Sequence, residues 1–382
     1  MIIIFQRILP HYRTGFFRKF TDKFKGTMVL YGQPNKNESL KNDDLKDDGT
    51  FKKVKNNYFT KSGNIFISKI FRIILDSKPE VIISVFNTGN LNIYILFLLR
   101  KFYKFKIILW SFGYDPVRGF DPENNFSDKI RLYLSGKADA VIFYWEKGKE
   151  EVEKYAKKKN HFFVAPNTLD TEKLFILKEK FDDTGKEKIK SELGVNEKNH
   201  FVYIGRLLKD KEVEILIRAF SQVDSNKEDV RLTIVGDGPE ADSLKKLTKE
   251  LGSNNIIFTG EILDEEQTGK WIYISDAFIM PGRLGLSVVH SFCFGTPVIS
   301  QKKDGYFHGE GVGYIKDGVN GFLIEDGNVY AMSEKLSEII NNPEVTLVLK
   351  ENAYMTAKND CSVEKMLEGF EKAIEHAEQQ QE

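Results

Sequence analysis

Phe201-Val202-Tyr203-Ile204-Gly205-Arg206-Leu207-Leu208-Lys209-Asp210-Lys211 joins a strand-like run to a glycine, a guanidinium and an ammonium. A helix-like stretch with Ile215, Leu216, Ala219 and Phe220 follows. Arginine offers a planar fork to phosphate oxygens, lysine a point charge, and a helix N-terminus beside them favours anions. Arg206 and Lys211 therefore suit a diphosphate, although the same residues also read as cations on a solvated loop. Val235-Gly236-Asp237-Gly238-Pro239-Glu240 closes another strand with two glycines, a pattern of many α/β turns. It is not the full G-x-G-x-x-G of nicotinamide-binding folds. Met280-Pro281-Gly282-Arg283-Leu284-Gly285-Leu286-Ser287 opens a short helix, so backbone N–H groups from Gly285 to Ser287 offer an anion seat. His290, one turn into that helix, reaches the same ligand or is a satisfied half-buried histidine.

Such groups need strands to hold them. Apolar runs recur at Ile2–Phe5, Met28–Tyr31, Val81–Phe86, Ile107–Trp110 and Ala140–Phe143, then at Phe201–Ile204, Leu232–Val235, Ile256–Phe258, Ala277–Met280 and Pro297–Ser300. Continuous rather than alternating apolar strands, separated by helix-like stretches, predict parallel α/β sheets covered on both faces. Two such sets predict two doubly wound domains, residues 1–172 with a final helix from 362–382, and residues 173–361. Lysine- and glutamate-rich residues 175–199 read as a linker or peripheral helix without a strand. Residues 36–63, with Asn42, Asp43, Asp44, Asp47 and Asp48, read as a loop. Val363, Met366, Leu367, Phe370 and Ile374 predict an amphipathic final helix, and residues 379–382 a frayed tail.

The 382 residues carry 56 basic and 56 acidic side chains, so no global basic field points to nucleic acid. With 41% hydrophobic and 29% charged residues the chain reads as folded rather than disordered. Cys293 and Cys361 are too few for a disulfide framework or a cysteine-rich zinc cluster, and a reducing compartment such as the cytoplasm is expected. No secretory signal stands out. The longest apolar run, Leu91–Leu99, is too short to span a bilayer and reads as a buried helix.

Taken in order, Gly205-Arg206-Leu207 with Lys211, Val235–Pro239, Phe258-Thr259-Gly260, Gly285-Leu286-Ser287 with Gly295–Ile299, and Asp317–Phe322 resemble the retaining glycosyltransferases of family 4, on the GT-B fold. Val164–Asp170 matches that family's domain-crossing segment. Pro10–Phe17 resembles its first loop less closely. The resemblance implies two Rossmann-like domains facing a cleft, with the C-terminal helix crossing back to the N-terminal domain. The C-terminal domain would bind a nucleotide-sugar and the N-terminal domain the acceptor. It assigns Arg206 and Lys211 to the donor diphosphate. Gly205, Gly236, Gly260, Glu261 and Ile262 would lie at the nucleotide, and Gly285, Leu286 and Ser287 would give phosphate their N–H groups. Tyr12, Arg13, Gly15, Asn87, Tyr114 and Asp115 are the acceptor-side candidates. No metal or other cofactor is implied, and bacterial surface-glycan assembly is the expected setting.

Three departures qualify that picture. The family's two glutamates, eight positions apart, fall on Gly282 and His290. His290 could replace the second; for the first, Glu310 on the neighbouring loop offers a carboxylate or is a solvated loop charge. Relatives often carry a histidine where this chain has Phe112, leaving Tyr114 or Asp115 for a polar contact. A catalytically weakened nucleotide- or sugar-binding protein and a GT-B nucleotide-sugar epimerase are therefore the alternatives. Residues 12–25 interleave Phe16, Phe17, Phe20 and Phe24 with Arg18, Lys19, Lys23 and Lys25. That reads either as a peripheral contact with the inner face of a membrane or as a core-facing stripe. Arg100–Lys106 is a second basic aromatic cluster.

Overall fold

A computed structural model describes residues 1–36, 38, 41–43, 45–224, 229–303, 305 and 307–379, with Asp224 described by its backbone only. Asp44 of the acidic loop and residues 380–382 of the expected tail lie outside the described residues. The chain divides into two compact units, Met1–Asp170 with Val363–Glu382, and Thr171–Ser362.

The first unit holds β1 (Ile2–Gln6), β2 (Met28–Gly32), β3 (Phe51–Val54), β4 (Asn56–Tyr58), β5 (Phe66–Ser68), β6 (Val81–Val85), β7 (Lys106–Ser111), β8 (Ala140–Phe143) and β9 (Phe162–Val164). Seven of them form one parallel sheet in the order β3-β2-β1-β6-β7-β8-β9, while β4 and β5 pair antiparallel. Every residue of β1 is buried, as five successive apolar or amide side chains in a sheet covered on both faces require. The reading of residues 36–63 as a loop is corrected by β3. Phe51 and Val54 face inward while Lys52 and Lys53 guard an edge strand, which breaks up its apolar signature.

The stretch 12–25 is also settled. Helix His11–Lys23 buries Phe16, Phe17 and Phe20, and Phe16 meets Phe370 at 5.0 Å and Trp110 at 6.2 Å. Its lysines turn to the final helix, Val363–Gln379, where Lys19 pairs with Glu364 and Lys23 with Glu371. The stripe is core, not a membrane face. The final helix lies on β7, β8 and β9. Gly369 permits this, since a Cβ there would fall 2.3 Å from the Val164 carbonyl oxygen. Helix Leu91–Leu99 is only half covered, with Asn92, Ile93 and Leu96 inside and Leu98 outside, so its reading as a buried helix is corrected too.

The second unit is a six-stranded parallel sheet made of β10 (Asn199–Ile204), β11 (Val230–Val235), β12 (Ile256–Gly260), β13 (Ala277–Ile279), β14 (Val298–Gln301) and β15 (Gly321–Ile324), ordered β12-β11-β10-β13-β14-β15. Residues 175–199, read as a linker or peripheral helix, fall mostly in helices Thr171–Thr184 and Lys186–Glu192 and lead into β10. Among the described residues no helix is long and apolar enough to cross a membrane.

Candidate functional site

Strand order places the sites. In an open parallel sheet, ligands bind outside the strands' carboxyl ends where the winding direction reverses. In the second unit that point lies between β10 and β13. The loops leaving these two strands carry Gly205–Lys211 and Met280–Gly285. They are joined directly: Gly282 N–H donates to the Lys211 carbonyl (2.9 Å), Arg283 N–H to that of Asp210 (2.8 Å), and Lys211 Nζ to that of Arg283 (2.5 Å).

This union leaves no room for the glutamate that the resemblance implied at position 282. A Cβ on Gly282 would sit 2.1 Å from the Asp210 carbonyl oxygen and 2.4 Å from the Lys211 carbonyl carbon, so no side chain fits. Lys211 is half-buried and spends one donor on the opposite loop; burial lowers its pKa against the pull of Asp210. Asp210 Oδ1 is buried without a hydrogen-bond partner. The Arg206 guanidinium, by contrast, is exposed and has no ion pair or hydrogen bond among the described residues.

A second brace, not foreseen from the sequence, comes from His308. Its Nδ1 accepts Leu284 N–H (3.2 Å) and its Nε2 faces the Gln301 carbonyl (2.8 Å), which fixes the neutral tautomer with the proton on Nε2. Burial lowers the pKa of this imidazole. Gly309 N–H adds a bond to the Leu284 carbonyl (2.9 Å), and Gly311 lies so close to the Gly285 carbonyl that a Cβ would be 1.9 Å from it. The turn 283–285 is thus gripped from both sides. Glu310, between those glycines, is brought beside Gly285. No motif marks His308 in the sequence; only the fold brings it to Leu284.

Gly285, Leu286 and Ser287 are half-buried at the start of helix Ser287–Cys293, and their backbone N–H groups donate to no protein group among the described residues. His290 packs its ring 5.6 Å from Phe294. Its Nε2 is buried without a partner, and burial drives its pKa down to about 4, so the imidazole is neutral near pH 7. Gly236 allows the close backbone approach that its pattern suggests. At φ +144°, it approaches Gly205 so closely that a Cβ would lie 1.9 Å from that carbonyl, while its N–H reaches the Gly260 carbonyl (2.8 Å). Glu261 is exposed and Ile262 half-buried just beyond β12. A groove of about 720 Å³ is lined by Asp210, Glu212, Glu214 and Glu240, with Lys209 the one cation, over an apolar floor. Four carboxylates make it a poor seat for a polyphosphate.

In the first unit the winding reverses between β1 and β6. A polar pocket of about 460 Å³ lies there, lined by Arg7, Glu38, Asn64 and Asn87 among others. Arg7 grips Glu38 through both terminal nitrogens, and Asn87 Oδ1 is buried without a partner. Of the six acceptor-side candidates only Asn87 lines this pocket. Arg13 is turned inward instead, donating to Gln6 Oε1 (3.1 Å) and Asn167 Oδ1 (3.3 Å) with its guanidinium 4.6 Å above the Trp110 ring. Tyr12, half-buried, lies beside Arg13. Gly15 makes room for the Asp170 carboxylate, which a Cβ would approach to 2.2 Å. Tyr114 is buried against Phe112 (5.0 Å) and Trp145 (6.0 Å), so an aromatic cluster occupies the place expected for a histidine. Asp115 accepts the N–H groups of Val117 and Arg118 and closes its own turn.

Comparison with known proteins fits this geometry. Residues 185–356 match the family model described as glycosyl transferases group 1. An uncharacterized glycosyltransferase of Methanocaldococcus jannaschii is 26% identical over 325 residues, covering 82% of this chain and 80% of that protein. Alpha-monoglucosyldiacylglycerol synthase of Acholeplasma laidlawii is 23% identical over 201 residues, 52% of this chain and 48% of its own length, so this chain spans about half of that relative. The crystal structure of Anabaena HepE in complex with UDP superposes with a TM-score of 0.68 at 16% identity, covering 98% of this chain and all of that one. The architecture is the GT-B fold, and with the sequence matches it supports a GT-B glycosyltransferase.

Proposed function

We propose that the protein moves a sugar from a nucleotide-sugar to a hydroxyl of a glycan or lipid-linked acceptor, with retention of anomeric configuration. The observation that carries this reading is the Arg206 guanidinium, exposed and unengaged at the reversal point of a group 1 domain. It sits on a loop bonded to the one that presents the N–H groups of Gly285 to Ser287. As the donor bond breaks, negative charge grows on the departing diphosphate. Preorganised cations and N–H groups stabilise that charge without reorganising. In this reading the leaving phosphate takes the acceptor proton on the face of departure, so the reaction demands no carboxylate at position 282. Arg206 and the N–H groups meet the diphosphate's charge, and no metal is called for. The pocket at Arg7 and Asn87 then receives the acceptor's hydroxyls. The relatives named above supply the lipid-linked option and make UDP the first nucleotide to try.

A second reading has its own observation. With position 282 closed by backbone and His290 half-buried, the site lacks both of the family's carboxylates, as a binding protein without turnover would. Calorimetry with UDP, GDP, dTDP and CDP tests the site first. One nucleotide should bind, and Arg206→Ala should weaken it roughly tenfold or more, the worth of a charge-assisted phosphate contact. Equal affinity in the variant refutes the phosphate assignment. Nucleotide binding with no sugar transfer to any hydroxyl acceptor selects the second reading.

A further inference from the structure

The outer face of helix Leu91–Leu99 and the turn after it leave large apolar side chains in the open. Leu98 is 56% exposed, Phe102 76% and Tyr103 45%. Arg100 ties this turn to the end of helix Phe126–Lys137, donating to the Lys137 carbonyl (3.0 Å) and to the Asp139 carboxylate (2.8 Å). Tyr133, 63% exposed with the Lys137 ammonium 5.7 Å from its ring, therefore extends the same corner. A shallow cavity of about 210 Å³ undercuts it, between Ile74, Leu75 and Pro79 on one side and Phe102 to Phe105 on the other.

Charge around this rim is one-sided. Lys78, Lys101, Lys104 and Lys137 make no ion pair among the described residues. The carboxylates nearby are engaged: Asp139 by Arg100 and Lys106, Asp76 by Arg72, and Glu80 by the N-terminal ammonium. The lysines of helix His11–Lys23 differ, being matched by glutamates of the final helix.

We infer that this corner of the first unit docks on an anionic lipid bilayer. Phe102, Tyr103 and Leu98 enter the headgroup layer, and the four unpaired ammoniums meet lipid phosphates. Aromatic side chains ringed by lysines suit that boundary, because the rings leave water while the ammoniums stay at headgroup level. The complementarity is specific in sign, since a neutral surface offers the lysines nothing. The inference does not depend on how the second unit binds its donor.

The test is sedimentation of the full chain with vesicles of phosphatidylcholine alone and of phosphatidylcholine with about a third phosphatidylglycerol. Binding is expected to the anionic vesicles only, weakening as salt rises. A lysine close to such a surface contributes roughly fivefold to partitioning, so Lys101→Glu with Lys104→Glu should cut binding about 25-fold or more. Leu98→Ser with Phe102→Ser should weaken binding while keeping its salt dependence. Both variants change exposed side chains, and unaltered thermal melts will show that they fold. Absence of binding to anionic vesicles at low salt overturns the inference, as does undiminished binding by the charge variant. A dimer in sedimentation velocity that Phe102→Ser dissolves would overturn it in favour of a second copy on this corner.

Discussion

Restoring a side chain at Gly282 tests the loop union most directly. An ideal Cβ there lies 2.1 Å from the Asp210 carbonyl oxygen, 2.4 Å from the Lys211 carbonyl carbon and 2.5 Å from the Lys211 Cα. All three are backbone atoms, so no rotamer change relieves the overlap. The loops must part, and parting strains or breaks three bonds, from Gly282 N–H, Arg283 N–H and Lys211 Nζ. At about 1 kcal/mol for each bond, with overpacking costs of similar size, Gly282→Ala should destabilise by roughly 2–4 kcal/mol. That lowers the melting temperature by roughly 5–15 °C for a unit of this size. Nucleotide affinity should fall as well, because the same loops hold Arg206 and the turn at Gly285. Gly282→Glu, which places there the glutamate of the resembled family, should behave worse than alanine and gain no turnover. Thermal melts followed by calorimetry with the best nucleotide check this. A melt shifted by no more than about 1 °C, with unchanged affinity, would refute the steric argument.

Two further outcomes follow from buried histidines. His308→Ala leaves Leu284 N–H and the Gln301 carbonyl without the ring between them, at a cost of roughly 1–3 kcal/mol, and should weaken nucleotide binding through the turn at Gly285. Calorimetry reads the affinity and thermal melts the stability; unchanged values in both would show that the brace does not matter. His200 is fully buried between Ser275 Oγ (2.8 Å) and Thr233 Oγ1 (2.9 Å), stacked on Trp271, and burial depresses its pKa to about 3. A depressed folded-state pKa means that this contribution is complete above about pH 6.5, the unfolded value, and is lost as pH falls toward 3. By pH 5 the loss is about 2 kcal/mol, seen as extra proton uptake on unfolding. Urea melts at several pH values should lose that slope in His200→Asn, and an unchanged slope would assign it elsewhere.

The central strands were legible, and of the edge strands only β12 was. β1, β6, β7, β10 and β13 are apolar on both faces, so each announces itself as a continuous run. The strands missed, β3, β9 and β15 at sheet edges and β4 and β5 in their two-stranded pair, are short and lie where one side needs no partner and lysine or glycine is tolerated. The phenylalanines of the first helix were equally readable as core or as surface. What decides is Phe370, some 350 positions away, closing over Phe16 and Phe20. Local spacing holds no trace of that partner.

At the site the limit of sequence reading is chemical rather than local. Glycine spacing reports that something approaches a backbone closely, but not what does so. Gly236 against the Gly205 carbonyl, Gly238 against that of Leu207, Gly282 against that of Asp210 and Gly311 against that of Gly285 are all approaches of backbone to backbone. The absent glutamate and the glycine in its place are then one structural fact. Once the 210–211 turn has closed on residue 282, a carboxylate there is excluded by volume. The cations that remain usable follow from the same closure. Lys211 is drawn into holding the loops together, while the exposed Arg206 guanidinium, five residues earlier, makes no bond to the protein among the described residues.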